Sequence, residues 1–152
     1  MGMLVPTDIR PPDRLRLPLA FDTARMQEDM ATLASEEWTA HFVPSNYKGE
    51  WSVVPLRAPE GATHPIKMIF PDPTCERFED TALLARCPYF TRLLGDFHCP
   101  LDAVRLMRLG PGSIIKEHRD DDLDFALGKA RVQSPVGSHE EREQTLNQLL
   151  AE

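Results

Sequence analysis

Residues 112–122 read GSIIKEHRDDD. The β-branched pair Ile114-Ile115 favours a strand, and it runs straight into His118 and an acidic stretch. Along a strand, residues two apart project from one face. Ile114, Lys116, His118 and Asp120 are therefore expected on the same side. An imidazole nitrogen beside a carboxylate oxygen suits a divalent transition metal. A second histidine from elsewhere would complete the two-histidine, one-carboxylate set of a non-haem Fe(II) oxygenase. Taken alone, His-x-Asp is unspecific, and a buried strand emerging into a solvated acidic turn accounts for it too. A calcium loop does not, because Asp120-Asp121-Asp122 lacks the alternating oxygens, the glycine and the closing glutamate of that motif.

Working outward, LDAVRLMRLGPGSIIKEHRD (101–120) spells two strands about a Gly110-Pro111-Gly112 turn. KARVQSPV (129–136) is a weaker third strand, and APEGATHP (58–65) is loop by composition. Further upstream, YKGEWSVVPLRA (47–58) has a turn at Lys48-Gly49 and a strand through Trp51, Val53 and Val54. Pro55 suggests an edge position or an early end for that strand. HPIKMIF (64–70) is a second short strand candidate. Two segments have helical spacing. In FDTARMQEDMATLASEEW (21–38), Asp22 or Thr23 can cap a helix carrying Met26, Met30, Leu33 and Ala34 on one face. In EDTALLARCPYFTRLLGDF (79–97), Asp80 or Thr81 is the expected cap, with Leu83, Leu84 and Cys87 on one side. Pro88 starts a second helical piece there, bearing Tyr89, Phe90, Leu93 and Leu94. The tail, SHEEREQTLNQLLAE (138–152), reads as a helix with a capping box from Ser138 to Glu141 and apolar Leu146, Leu149 and Leu150.

The bulk properties narrow the function classes. At 152 residues the chain is about one domain long. Its 41% apolar and 27% charged content is that of an ordinary globular protein. A net charge of −7 argues against a nucleic-acid backbone as the main partner. No apolar run approaches the ~20 residues of a bilayer span, so no membrane partner is expected. The first residues lack the apolar core and cleavage site of a secretory signal. Cys75, Cys87 and Cys99 are odd in number and form no CxxC pair. They are expected as small buried hydrophobes rather than a disulfide framework or a thiolate zinc site. A cytoplasmic protein fits these properties. Residues 1–18, rich in proline and arginine, are read as an extended arm that lies on the domain or is disordered.

The block CPYFTRLLGDFHCPLDAVRLMRLGPGSIIKEHRDDDLDFALGKARV (87–132) resembles the aspartyl/asparaginyl β-hydroxylase family, in which an arginine-bearing strand, a Pro-Gly turn and an isoleucine-rich strand precede His-x-Asp. LPLAFDTARMQEDM, YKGEWSVVPLRA and FEDTALLARCPYF agree in the same order, so the resemblance runs from about residue 17 to about residue 136. It implies a double-stranded β-helix (jelly-roll, cupin-like) core that binds Fe(II) and 2-oxoglutarate and hydroxylates an amino acid or a peptidyl side chain. Matched residue by residue, His118 falls on the first metal histidine and Asp120 on the carboxylate ligand. Arg131 falls on an arginine that holds a cosubstrate carboxylate, a role its planar fork of donors suits.

The match departs from the family after Arg131. Gln133 stands where relatives carry a histidine, and the similarity ends at Val136. Relatives have a second metal histidine and a further arginine downstream, together with the strands that close the barrel. His139, in the first turn of the predicted tail helix beside Glu140 and Glu141, reads most simply as an exposed histidine; a third ligand is the alternative. His41, His64 and His98 are read as surface or packing residues. The expected fold is therefore α+β: an incomplete jelly-roll sheet in residues 19–136, flanked by helices at 22–37 and 80–95, followed by a C-terminal helix at 137–152 outside the family pattern. The expected activity is that of a 2-oxoglutarate-dependent dioxygenase. The alternative is a truncated, catalytically inactive relative that acts as a protein-interaction module, or self-associates, through its C-terminal helix.

Overall fold

The computed structural model describes residues 15–70, 74–118 and 131–132. Residues 15–20 enter without helix or strand. Helix α1 (Thr23–Ala31) then starts where Asp22 accepts hydrogen bonds from the amides of Ala24 and Arg25 at 3.1 and 3.2 Å. Those are donors that the first helical turn cannot satisfy itself. The helix ends sooner than its apolar spacing suggests. A 3-10 turn over Ser35–Glu37 replaces its last turn, and Ala34 is exposed. Glu37 holds this turn by accepting from the Ala34 amide at 2.7 Å and pairing with Arg86. The Arg86 guanidinium, then the Ala34 amide, hold the Glu37 carboxyl below its ordinary value.

The chain continues through β1 (Thr39–Ala40), β2 (Tyr47–Lys48) and the long β3 (Trp51–Pro59). Helix α2 (Pro65–Ile69), β4 (Phe78–Asp80), a 3-10 turn over Leu84–Arg86, α3 (Pro88–Leu94), β5 (Val104–Leu109) and β6 (Ile114–Ile115) follow. Strand β3 is the centre. It pairs antiparallel with β5 along one edge, and with β1 and β4 end to end along the other. A separate two-stranded antiparallel sheet joins β2 to β6. The architecture is thus mixed helix and antiparallel sheet, and among the described residues the sheets do not close into a barrel.

Several local expectations are corrected. Pro55 does not end its strand; it sits at a register shift in the β3–β5 ladder between Pro55 and Arg57, where a proline's missing amide is tolerated. Thr81 does not cap a helix. Its hydroxyl donates to the Pro55 and Leu56 carbonyls at 2.8 and 3.2 Å, taking up acceptors freed at that bulge. Asp80 pairs with Arg57 instead of capping. Residues 65–69 are helical rather than a strand, with Pro65 in the first turn and His64 Nδ1 accepting from the Ile66 amide. Strands β5 and β6 flank the expected turn, closed by a Ser113 N–H to Gly110 carbonyl bond of 3.0 Å, but each pairs with another strand instead of with its neighbour. Arg131 and Val132 are exposed and in no strand. The rest of that expected strand and the whole tail helix lie outside the described residues.

The two faces of the β3–β5 ladder differ. Val54, Leu56 and Leu106 pack with Met26 and Leu33, and with Leu84, Cys87, Phe90 and Leu93 from the α3 side. Burying each large side chain contributes about 1.5–3 kcal/mol of transfer free energy. Asp29 lies within this helical layer at 5% exposure, and its Oδ2 accepts from the Phe90 amide at 2.8 Å. It thereby caps α3 from a neighbouring helix. Of the three cysteines only Cys87 is buried; Cys75 is half-buried and Cys99 exposed, so the expectation of three buried thiols holds for one. Burial pushes the Cys87 thiol up, which keeps it protonated and inert.

Candidate functional site

His118 is delivered by a crossing of two turns. Gly49 has φ +89°, a conformation that strains any residue with a Cβ, and a Cβ there would sit 2.4 Å from Ser113 Oγ. The close approach lets buried Ser113 accept from the Glu50 amide at 2.7 Å, while the Gly110 amide donates to the Glu50 carbonyl at 2.9 Å. Strand β6 then runs beside β2 with Tyr47 opposite Ile115, and the Lys116 amide donates to the Asn46 carbonyl at 2.7 Å. His118 follows two residues later, half-buried.

The ring of His118 has a defined proton position. Its Nδ1 lies 2.9 Å from the Lys116 carbonyl oxygen. A carbonyl can only accept, so Nδ1 carries the hydrogen and the neutral ring keeps its lone pair on Nε2. A backbone carbonyl behind Nδ1 is the arrangement that orients metal-binding histidines. His41 has the opposite tautomer when neutral, because its Nδ1 accepts from the Val43 amide at 3.3 Å. When neutral, His118 therefore carries a lone pair on Nε2 and His41 a proton there.

Both rings neighbour Trp51. His41 stacks on its indole with ring centroids 3.6 Å apart and an interplanar angle of 7°. Tyr47 meets Trp51 and His41 edge-on at 5.7 and 6.0 Å. His118 is tilted 50° at 6.2 Å from the indole. Phe42 and Phe70 extend the aromatic group beyond His41. Trp51 is 5% exposed, yet its Nε1–H is buried with no hydrogen-bond acceptor among the described residues. A buried donor left unmatched costs about 1–3 kcal/mol.

Of the residues read from the sequence as site residues, His118 lies three residues beyond the end of β6 and in no strand, so the strand expected to carry it stops at Ile115. Arg131 is exposed and belongs to no strand, and Asp120 and His139 lie outside the described residues. His118 therefore fits a metal by its tautomer and its backing carbonyl. Among the described residues no group of three or more histidine, cysteine, aspartate or glutamate side chains could hold an ion. His98 is exposed and His64 caps α2, in keeping with surface roles. The grouping of Trp51, Tyr47 and His41 beside His118 is one that the sequence reading does not anticipate. The only sequence signal for them is an aromatic cluster at the start of a strand. Two surface concavities lie elsewhere: one of about 520 Å³ includes Glu60, Cys75 and Arg77, and one of about 220 Å³ between α1 and α3 includes Arg25, Tyr89 and Arg92. No described helix is long and apolar enough to cross a membrane.

No family model matches the chain, and no solved structure does. Among curated proteins, 32 residues are 72% identical to the ATP-dependent zinc metalloprotease FtsH of Syntrophobacter fumaroxidans, covering 21% of this chain and 5% of that protein. The chain thus matches about one-twentieth of that relative's length. A segment of 32 residues is below the size at which chains usually fold alone, so that protein's activity does not carry over.

Proposed function

We propose that this chain is a Fe(II)- and 2-oxoglutarate-dependent dioxygenase of the aspartyl/asparaginyl β-hydroxylase type, acting on an amino-acid or peptidyl side chain. The observation that supports the reading is the Nδ1–H of His118 engaged by the Lys116 carbonyl, which puts the lone pair of the neutral ring on Nε2 three residues after an isoleucine strand. In this reading the open antiparallel sheet is part of an incomplete double-stranded β-helix. His118 and Asp120 would hold the ion, and Arg131 would meet a carboxylate of the cosubstrate. Bound Fe(II) with 2-oxoglutarate and dioxygen supplies the oxidation of an unactivated C–H bond. The protein's own part is to orient His118, through the turn crossing at Gly49 and Ser113, and to wall the ligand with Trp51 and Tyr47. With two matched ligands instead of three, the ion is expected to be held weakly, since affinity depends on ligand number and geometry.

Calorimetric titration of Mn(II), a redox-inert substitute, into the full chain tests this, followed by an assay of succinate release with Fe(II). Weak one-to-one binding lost in His118→Ala is the expected result. Heats unchanged by that substitution would remove the metal reading. Tight binding with sustained succinate release would reveal a third ligand, which His139→Ala would then identify or eliminate.

A further inference from the structure

We infer that the concavity between α1 and α3 is a second binding site, for a small zwitterion that carries both a carboxylate and an ammonium group. The helices around it cover Val54 and Leu56, whereas Trp51, the neighbour of His118, lies on the alternate face of β3. The site is therefore separate from His118 and does not depend on the metal reading. It holds about 220 Å³ and is lined by Asp22, Arg25, Tyr89, Arg92, Leu93 and Asp96, among others. Sites for drug-sized ligands run to roughly 300–1,000 Å³, so the occupant here is smaller than those.

The charges of the lining carry the inference. Two guanidinium groups and two carboxylates share one small concavity, yet none of the four is ion-paired among the described residues. Arg92 and Asp96 stand four residues apart across the end of α3 and still do not meet. Arg25 is held in another way: its guanidinium lies over the Tyr89 ring, 4.7 Å from the centroid, which leaves the N–H groups at its rim available. Tyr89 is fixed in turn, because its hydroxyl oxygen accepts from the Asp22 amide at 2.6 Å and keeps its own proton to donate. Asp22 Oδ1 is taken by the Ala24 and Arg25 amides, whereas the Asp96 carboxylate has no hydrogen bond among the described residues. Arg25, Tyr89 and Arg92 thus supply donors for a carboxylate, and Asp96 supplies an acceptor for an ammonium group. A simple anion would be repelled by Asp96 and a simple cation by the two guanidinium groups. The four formal charges cancel, and a ligand whose own charges cancel answers both signs.

The test titrates the full chain, labelled with nitrogen-15, with glycine, a minimal zwitterion, and follows the arginine Nε–H signals. Arg25→Gln and Arg92→Gln, both at exposed positions, assign the two signals of interest. Glycine should shift both. It should bind about tenfold more tightly than acetate, which lacks the ammonium group, or methylamine, which lacks the carboxylate; that is the effect of one hydrogen bond to a charged group. Arg92→Gln should weaken glycine binding by a similar factor. Asp96→Asn should abolish the preference for glycine over acetate while acetate binds as well as before or better, a ratio that a merely structural role would not move. His118→Ala should leave all of these affinities unchanged. Acetate or inorganic phosphate binding as tightly as glycine would overturn the inference in favour of a plain anion site, and methylamine doing so in favour of a cation site. Arginine signals unmoved by glycine, or a glycine preference that survives Asp96→Asn, would overturn it as well. Loss of glycine binding in His118→Ala would assign the zwitterion to the other site and equally overturn it.

Discussion

The two faces of the β3–β5 ladder are built from the same alternation of residues and end in opposite conditions. On the helix side, Val54, Leu56 and Leu106 meet α1 and α3, and a buried acid, Asp29, is matched to a backbone amide. On the other side, Val53 is buried at 1% exposure, but its partner across the ladder, Met107, is 46% exposed. The same side has an indole donor without an acceptor among the described residues. A face evolved only for stability resembles the first. The second gives up packing and hydrogen bonding in one place, and such concessions cluster where proteins bind something.

That contrast can be broken most directly by truncating both faces. Leu56→Ala should cost about 2–5 kcal/mol, because the fully buried site leaves a cavity among close-packed neighbours. Met107→Ala should stay within about 0.5 kcal/mol. Chemical denaturation of the two variants gives both values, and equal losses would erase the distinction between the faces.

Next in size is Asp29. Replacing it with alanine strands the Phe90 amide in the core and should cost about 1–3 kcal/mol. The milder change Asp29→Asn keeps an acceptor oxygen and should lose less than Asp29→Ala in the same denaturation experiment. Equal losses would show that the carboxylate's charge rather than its acceptor geometry does the capping.

Gly49→Ala probes how the open face is positioned. The left-handed φ and the overlap with Ser113 Oγ predict a loss of about 1–2 kcal/mol. The sharper readout is His118: its response to zinc should weaken in this variant even where the protein remains folded. An unchanged response would mean that the turn crossing does not position the histidine.

The smallest effect belongs to the exposed Glu37–Arg86 pair. The Glu37 carboxyl is held below its ordinary value of 4.5, so its stabilising contribution is fully present above that value. It is lost as pH falls through the lowered folded-state value. Wild type and Glu37→Gln should therefore differ slightly in melting temperature at neutral pH and converge in acid. A gap that widens in acid would contradict the pairing.

Much of the helix layer is legible in the sequence. Met26, Met30 and Leu33 recur at the helical period, and Asp22 is a cap by residue type. Asp29 escapes that reading although it falls three residues after Met26, on the same apolar stripe; an acid in that position is the signal of a buried polar contact. Strand β3 is legible through Val54 and not beyond. Proline's missing amide argues for a strand end unless a bulge absorbs it, and Thr81, 26 residues away, supports that bulge. Residues 64–70 mislead because Ile66 and Ile69 suit a strand, whereas His64 and Pro65 supply the cap and first turn of a short helix. The Gly110-Pro111-Gly112 turn is legible, but a turn does not choose between pairing two strands with each other and sending each to another partner.

By itself the sequence determined the identities and spacing that local physics can use: the caps, the apolar stripes, the β-branched runs and the two-residue spacing of His118 and Asp120. Those are properties of residues within a few positions of one another, governed by dihedral preference and side-chain period. Only the tertiary structure decided which face of β3 the helices cover, that β6 joins β2, which nitrogen of His118 carries the proton, and that the Trp51 donor is buried beside it. Each of these depends on groups far apart in the chain or on how the backbone folds back, such as Ser113 closing on Gly49 or His41 stacking on Trp51. No local preference encodes a partner, because burial and hydrogen-bond matching are settled only when distant segments compete for the same surface.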